Sequence, residues 1–253
     1  MQGHKGAGRY GVAFLLLVLP PALPAAHPLI TDDTGTQGRG RYQLEVMTEH
    51  GDDRVDDVRE RVVSTQAVLS YGLLPQTDLV LTLPRRRIHT DDDANSPRSG
   101  VSDIGLDLKW RFFERDAMSL VFQPGVTLPT GDEDRGLGSG RAGYGGFLVA
   151  SYALSPWAFH AQLGYVRNRN VLNQRESILQ RSVAVTREVA EGLRLVADIG
   201  AATHPSDDRD AAFLIAGLIY AVTSDFDVDV GYKKALSRTE VDRSLLAGVT
   251  FRF

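Results

Sequence analysis

The 253-residue chain contains no cysteine. That excludes disulfide staples, thiolate nucleophiles and cysteine-held zinc or iron–sulfur centres. Beyond the N-terminus it has no apolar stretch approaching the roughly 20 residues of a membrane-spanning helix. A basic surplus is also missing. Lys and Arg number 28 against 32 Asp and Glu, a net charge of −4, so a nucleic-acid partner is not expected. No Gly-x-Ser-x-Gly occurs, and the glycine-rich stretch at 131–140, GDEDRGLGSG, lacks the ending of a phosphate loop and reads as a flexible link. A serine hydrolase needs a base held against its nucleophile. His160 has no serine at strand spacing beside it, and His50, His89 and His204 fall at strand ends or in links. The expectation is a protein without catalytic residues, cofactor or metal site.

Residues 1–26 read as a secretory signal peptide. Lys5 and Arg9 form its positive start, Val12–Leu19 an apolar run, and Pro20, Pro21 and Pro24 break that run. Ala25 and Ala26 offer small residues for cleavage. The run is too short for a bilayer anchor, and its removal takes two positive charges and leaves −6.

The remaining sequence alternates with period two. In Asp103–Phe112, Ile104, Leu106, Leu108, Trp110 and Phe112 share one face, and Asp103, Asp107, Lys109 and Arg111 the other. Such charges separate on a strand and spread around a helix. The pattern returns at 118–128, 157–165, 193–200 and 226–233. Soluble sandwiches alternate too, so the links decide. Tight ones at 72–76, 114–116, 154–156, 190–192 and 223–225 alternate with longer polar ones at 51–59, 89–99, 130–139, 168–173, 204–210 and 236–240. Outer-membrane barrels sort links this way, because one rim faces the periplasm and the other the outside. The expected fold is all-β, a transmembrane antiparallel up-and-down barrel of about 12 strands over residues 40–253.

Phe253 ends the chain, sharing a face with Ala247, Val249 and Phe251. A terminal strand closing on Phe resembles the signal read by the barrel-assembly machinery. Tyr71, Trp110, Phe112, Phe113, Tyr152, Trp157, Tyr220, Phe226 and Phe251 sit near strand ends, where girdle aromatics belong. The inward set carries charge: Glu45, Asp78, Asp103, Asp107, Lys109, Arg111, His160, Arg194, Asp198, Asp227, Asp229, Lys233 and Arg252. Two uses suit these residues, a salt-bridged filling that holds register and a selectivity lining for a solute. The long links are acidic, with Asp52, Asp53, Asp56, Asp57, Asp91, Asp92, Asp93, Asp132, Glu133, Asp134, Asp207, Asp208 and Asp210. They suit a solvated rim, and weak divalent-cation bridging to lipopolysaccharide is a further use.

Four segments carry a family resemblance: PLITDDTGTQGRGRYQLE at 28–45, LLPQTDLVLTLP at 73–84, GVSDIGLDLKWRFF at 100–113 and PGVTLPTGDEDRGLGSG at 124–140. Their order and spacing resemble the outer-membrane family named for a MetA pathway of phenol degradation. The resemblance implies a barrel in the bacterial outer membrane that passes small molecules, aromatic ones among them, and it transfers no site residues. It also frames residues 27–39, polar and glycine-rich, as a periplasmic N-terminal segment or a small plug. With no aromatic anchor there, the periplasmic rim is the favoured place. The expected function is a channel or facilitator for small organic solutes, and the alternative is a structural barrel with a filled lumen. Expected partners are outer-membrane lipid and lipopolysaccharide, the assembly machinery and the solute.

Overall fold

The computed structural model describes residues 27–55, 58–91 and 96–253. The expected signal segment 1–26, and Asp56, Asp57, Asp92 and Asp93, lie outside the described residues. Strands account for most of the chain: β1 (Tyr42–Val55), β2 (Val58–Leu74), β3 (Thr77–Thr90), β4 (Arg98–Val101), β5 (Ile104–Arg115), β6 (Met118–Leu128) and β7 (Gly143–Leu154). They continue as β8 (Trp157–Arg167), β9 (Ser177–Ala190), β10 (Leu193–Ala202), β11 (Ala211–Ala221), β12 (Phe226–Ala235) and β13 (Arg243–Arg252). Every pairing is antiparallel, and twelve strands close into a barrel, with β4 a short addition beside upper β3.

β1 and β13 make the closure, in register from Gln43↔Arg252 to Asp52↔Arg243. Below this ladder Tyr42 and Phe253 exchange two backbone hydrogen bonds, at 2.7 and 3.0 Å. A closed sheet has no free edge, and every strand N–H and C=O finds a partner away from water. That is what lets a sheet cross a bilayer where, among the described residues, no helix is long and apolar enough to do so.

Alternation then sorts the side chains. On β3, Leu79 and Leu83 are exposed while Asp78, Val80 and Thr82 are buried. On β8, Phe159, Leu163 and Tyr165 lie outside, with Gln162 buried within. Exposed apolar side chains thus circle the barrel, among them Leu108, Leu148, Leu195, Leu218 and Val230. A soluble protein rarely exposes apolar patches beyond a few hundred Å2; in a bilayer the band faces lipid. Aromatic rings gather at the rim with the tight links. Tyr42 and Tyr71 approach with centroids 4.6 Å apart, as do Phe226 and Phe251. Arg187 sits 4.7 Å over Trp157.

Three expected links differ. The link expected at 51–59 is mostly strand, since β1 and β2 pair up to Val55↔Val58. Some of the charges in and beside it are held in ion pairs within the hairpin and to the end of β3. Arg59 donates through Nε to Asp52 at 2.9 Å, and Arg61 donates to Asp91 at 2.7 Å. The expected 89–99 link contains β4, which folds back on β3 from Ile88↔Arg98 to Arg85↔Val101. The 131–140 segment is a packed clasp. Asp103 accepts from the Gly131 and Ser139 amides and the Ser139 hydroxyl at 2.7–2.9 Å, and Leu137 is buried.

Candidate functional site

Residues 27–37 run along the inside of the barrel wall as a strap. Of the two places the sequence offered this segment, it takes a course in which it meets strands from β12 round to β3 in turn. His27 pairs through Nδ1 with Asp229 on β12. Pro28 lies against Gly217 of β11 and Gly231 of β12, where a Cβ on either glycine would approach to 2.7 Å. Leu29 packs with Ala184, Val196 and Ile219. The Ile30 and Thr31 amides donate to Asp198 Oδ2 on β10, each at 2.7 Å, and the Thr31 hydroxyl donates to Asp198 Oδ1 at 2.8 Å. The same hydroxyl reaches Ser182 on β9 at 2.7 Å.

Farther along, the Asp32 amide donates to Gln162 on β8 at 3.0 Å, and Lys109 on β5 donates to Asp32 at 2.9 Å. Lys109 Nζ also stands 3.6 Å from Asp33. Gln37 N–H donates to Asp78 on β3, and Gly40 N–H to the Gly72 carbonyl at 2.8 Å. Two absent side chains make the exit possible: a Cβ on Gly72 would collide with the Gly38 carbonyl, and Gly38 itself has φ of 80°, open mainly to glycine.

The charged residues of the inner wall fall into groups. Asp227 receives Arg252 at 2.8 Å and Arg194 at 3.1 Å. Lys233 bridges Glu49 at 2.6 Å and Glu240 at 3.2 Å. Asp198, Asp229 and Lys109 hold the strap. Asp103 holds the 131–139 clasp, so it serves a link. Arg111 stands 3.3 Å from Glu114 of its own strand. Asp107 faces Gly125, whose missing Cβ leaves room for its carboxylate. His160 does have a serine beside it, across the ladder: Ser151 on β7 is hydrogen-bonded to its Nδ1 at 2.8 Å. Reading along one strand could not show a neighbour supplied by the next.

Asp32, Asp33, Glu49 and Glu240 are participants that alternation did not identify. The first two belong to an irregular segment. Glu49 was legible, lying four positions from Glu45 on the same face of β1. Among the described residues no group of three or more His, Asp or Glu is arranged to hold a metal. At the rim with the long links, the Arg209 side chain hydrogen-bonds Asp207 and holds its carboxyl down at about 2.

Between the strap and the wall formed by β12, β13, β1, β2 and β3 lies a cavity of about 450 Å3. Arg41, Tyr42, Ser224 and Asp225 line it, so it reaches the rim of tight links. Seven carboxylates face it (Asp32, Asp33, Glu45, Asp78, Asp225, Asp227 and Asp229) against four cations, Arg41, Lys109, Arg194 and Arg252.

The sequence matches the family model described as "Putative MetA-pathway of phenol degradation" over residues 28–253. The chain belongs to this family. The match takes in the strap as well as the barrel. No curated protein matches in sequence. Among solved structures, the fold is similar to an outer membrane channel from Pseudomonas putida F1, with a TM-score of 0.72 at 17% identity, covering 87% of this chain and 98% of that one. It is also similar to the KdgM porin in complex with disordered oligogalacturonate, at TM-score 0.54, 7% identity and coverage of 83% and 99%. The β domain of the Bordetella autotransporter BrkA follows at TM-score 0.51, 14% identity and coverage of 85% and 100%. At these identities the likeness is one of fold.

Proposed function

We propose that this protein is a channel of the bacterial outer membrane, admitting small organic solutes through a lumen narrowed by its own N-terminal strap. The rim of tight links faces the periplasm and the rim of long links the outside, the usual arrangement of such barrels. The observation that carries the reading is the cavity of about 450 Å3 beside the strap, enclosed by the wall and reaching the periplasmic rim. An engineered cavity of ~150 Å3 binds benzene, so a substituted aromatic ring fits the volume. Gln123 supports a wet lumen: it is buried on β6, and both of its side-chain amide atoms lack a partner among the described residues. Buried amides are ordinarily satisfied, by water if not by protein. The excess of carboxylates disfavours small anions and suits neutral or cationic solutes.

The ion-paired wall and the bonded strap support a second reading, a barrel whose filling serves stability alone. Reconstitution of the processed protein in planar bilayers separates the two. The channel reading predicts discrete single-channel currents with cation-favouring reversal potentials, and blockade by small aromatic solutes. Electrically silent bilayers containing verified folded barrels would favour the filled one.

A further inference from the structure

The outer surface of the barrel carries one feature that solute passage does not use. Above the apolar band on β13, β2 and β3, the outward positions change from aliphatic to arginine. On β3 the exposed side chains run Leu79, Leu83, Arg85, Arg87, while Asp78, Val80, Thr82, Pro84 and Ile88 between them are buried. Arg85 pairs across the ladder with Thr65, and Arg87 with Val63. Arg61 pairs with His89, which places Arg61 diagonal to Arg87. Cross-strand neighbours lie about 5 Å apart and diagonal ones about 7–8 Å, well within the reach of arginine.

Among the described residues the surrounding acids do not balance these cations. Asp91 takes Arg61 at 2.7 Å. Asp52 takes Arg59 and lies 3.8 Å from Arg243. Arg54, Arg85 and Arg87 have no acidic partner among the described residues. The contrast with upper β8 and β9 is plain, because the outward cations at that level are paired: Arg167 with Glu176 at 2.7 Å and Arg181 with Asp210 at 2.6 Å.

From this we infer that the outward arginines of upper β2 and β3, centred on Arg61, Arg85 and Arg87, bind the phosphate groups of a phosphorylated glycolipid of the outer leaflet. The patch lies directly above aliphatic wall, so one amphiphile meets both halves, with acyl chains against Leu79 and Leu83 and phosphate against the guanidinium groups. Arginine suits this task, since its planar fork takes phosphate oxygens two at a time. A long side chain at the edge of the apolar band also directs its charge toward the headgroup layer. A soluble anion would gain nothing from the wall beneath. The inference rests on the proposed orientation, with the long links outside, but not on conduction.

The test uses the folded full chain in detergent, with native mass spectrometry and thermophoresis against bisphosphorylated lipid A. Its dephosphorylated form and phosphatidylglycerol serve as comparison lipids. Bisphosphorylated lipid A should bind at least tenfold more tightly than either, with affinity falling as salt rises. R85Q/R87Q should lose at least tenfold, whereas R167Q, on the far side and already paired, should leave binding unchanged. Heat-modifiable gel migration certifies that each variant is folded. Equal binding of the dephosphorylated lipid or of phosphatidylglycerol would overturn the proposal, as would full affinity in folded R85Q/R87Q. Currents from the same preparations report on the channel reading separately.

Discussion

Asp198 shows how much one inward side chain does here. Its two oxygens accept three hydrogen bonds from Ile30 and Thr31, and hydrogen bonds to a charged group contribute about 1.5–3 kcal/mol each. Replacing Asp198 by Ala removes both acceptor oxygens, breaks all three hydrogen bonds and leaves the Ile30 and Thr31 amides unmet. The expected cost to strap docking is at least about 1.5 kcal/mol. Read by hydrogen exchange, the Ile30 and Thr31 amides should exchange more than tenfold faster in D198A, while strand amides keep their protection. Unchanged protection at both would mean that Asp198 does not hold the strap. Alternation in the sequence placed Asp198 on the inward face, yet it could not say what the carboxylate meets, because the partners lie 167 and 168 residues away. Ser151 and His160 repeat the lesson at shorter range. A ladder sets neighbours by register, and a single strand's sequence does not show its register.

The elements were legible to different degrees, and the reason is physical. Strands such as β5 and β8 bury one face and offer the other to lipid, so period two is enforced at every position. The hairpin of β1 and β2 rises past the apolar band, and there charged residues on the outward face looked like a link. The strap has no periodicity at all. It is irregular backbone held by wall side chains, and its glycine-rich composition suited the rim equally well. The band itself makes a sharp prediction. Leu163 lies outward near the middle of β8, 52% exposed. A cation facing lipid at mid-depth costs roughly 2–4 kcal/mol. Chemical unfolding from vesicles should therefore show L163K less stable by about that amount, with L163A affected far less. Equal stabilities would mean that this face does not contact hydrocarbon.

At the scale of the whole molecule, the closed wall, the ion-paired interior and the strap form one arrangement. Twelve strands leave a lumen wider than an eight-stranded barrel can fill with wall side chains, and narrower than that of a sixteen-stranded porin. The strap occupies part of the difference and leaves the cavity beside it. Selectivity then depends on where the strap lies, since Asp32, Asp33 and Lys109 face the cavity from it and from the wall beside it. The cysteine-free sequence allows this placement to be tested cleanly. The Thr31 and Ser182 hydroxyls are 2.7 Å apart, close enough for a disulfide between engineered cysteines at those positions. The most direct measurement is oxidation of T31C/S182C in isolated membranes, followed by thiol counting and non-reducing electrophoresis. The account predicts near-complete cross-linking, with neither thiol labelled by a soluble maleimide. Two freely labelled thiols in a folded, heat-modifiable barrel would contradict it.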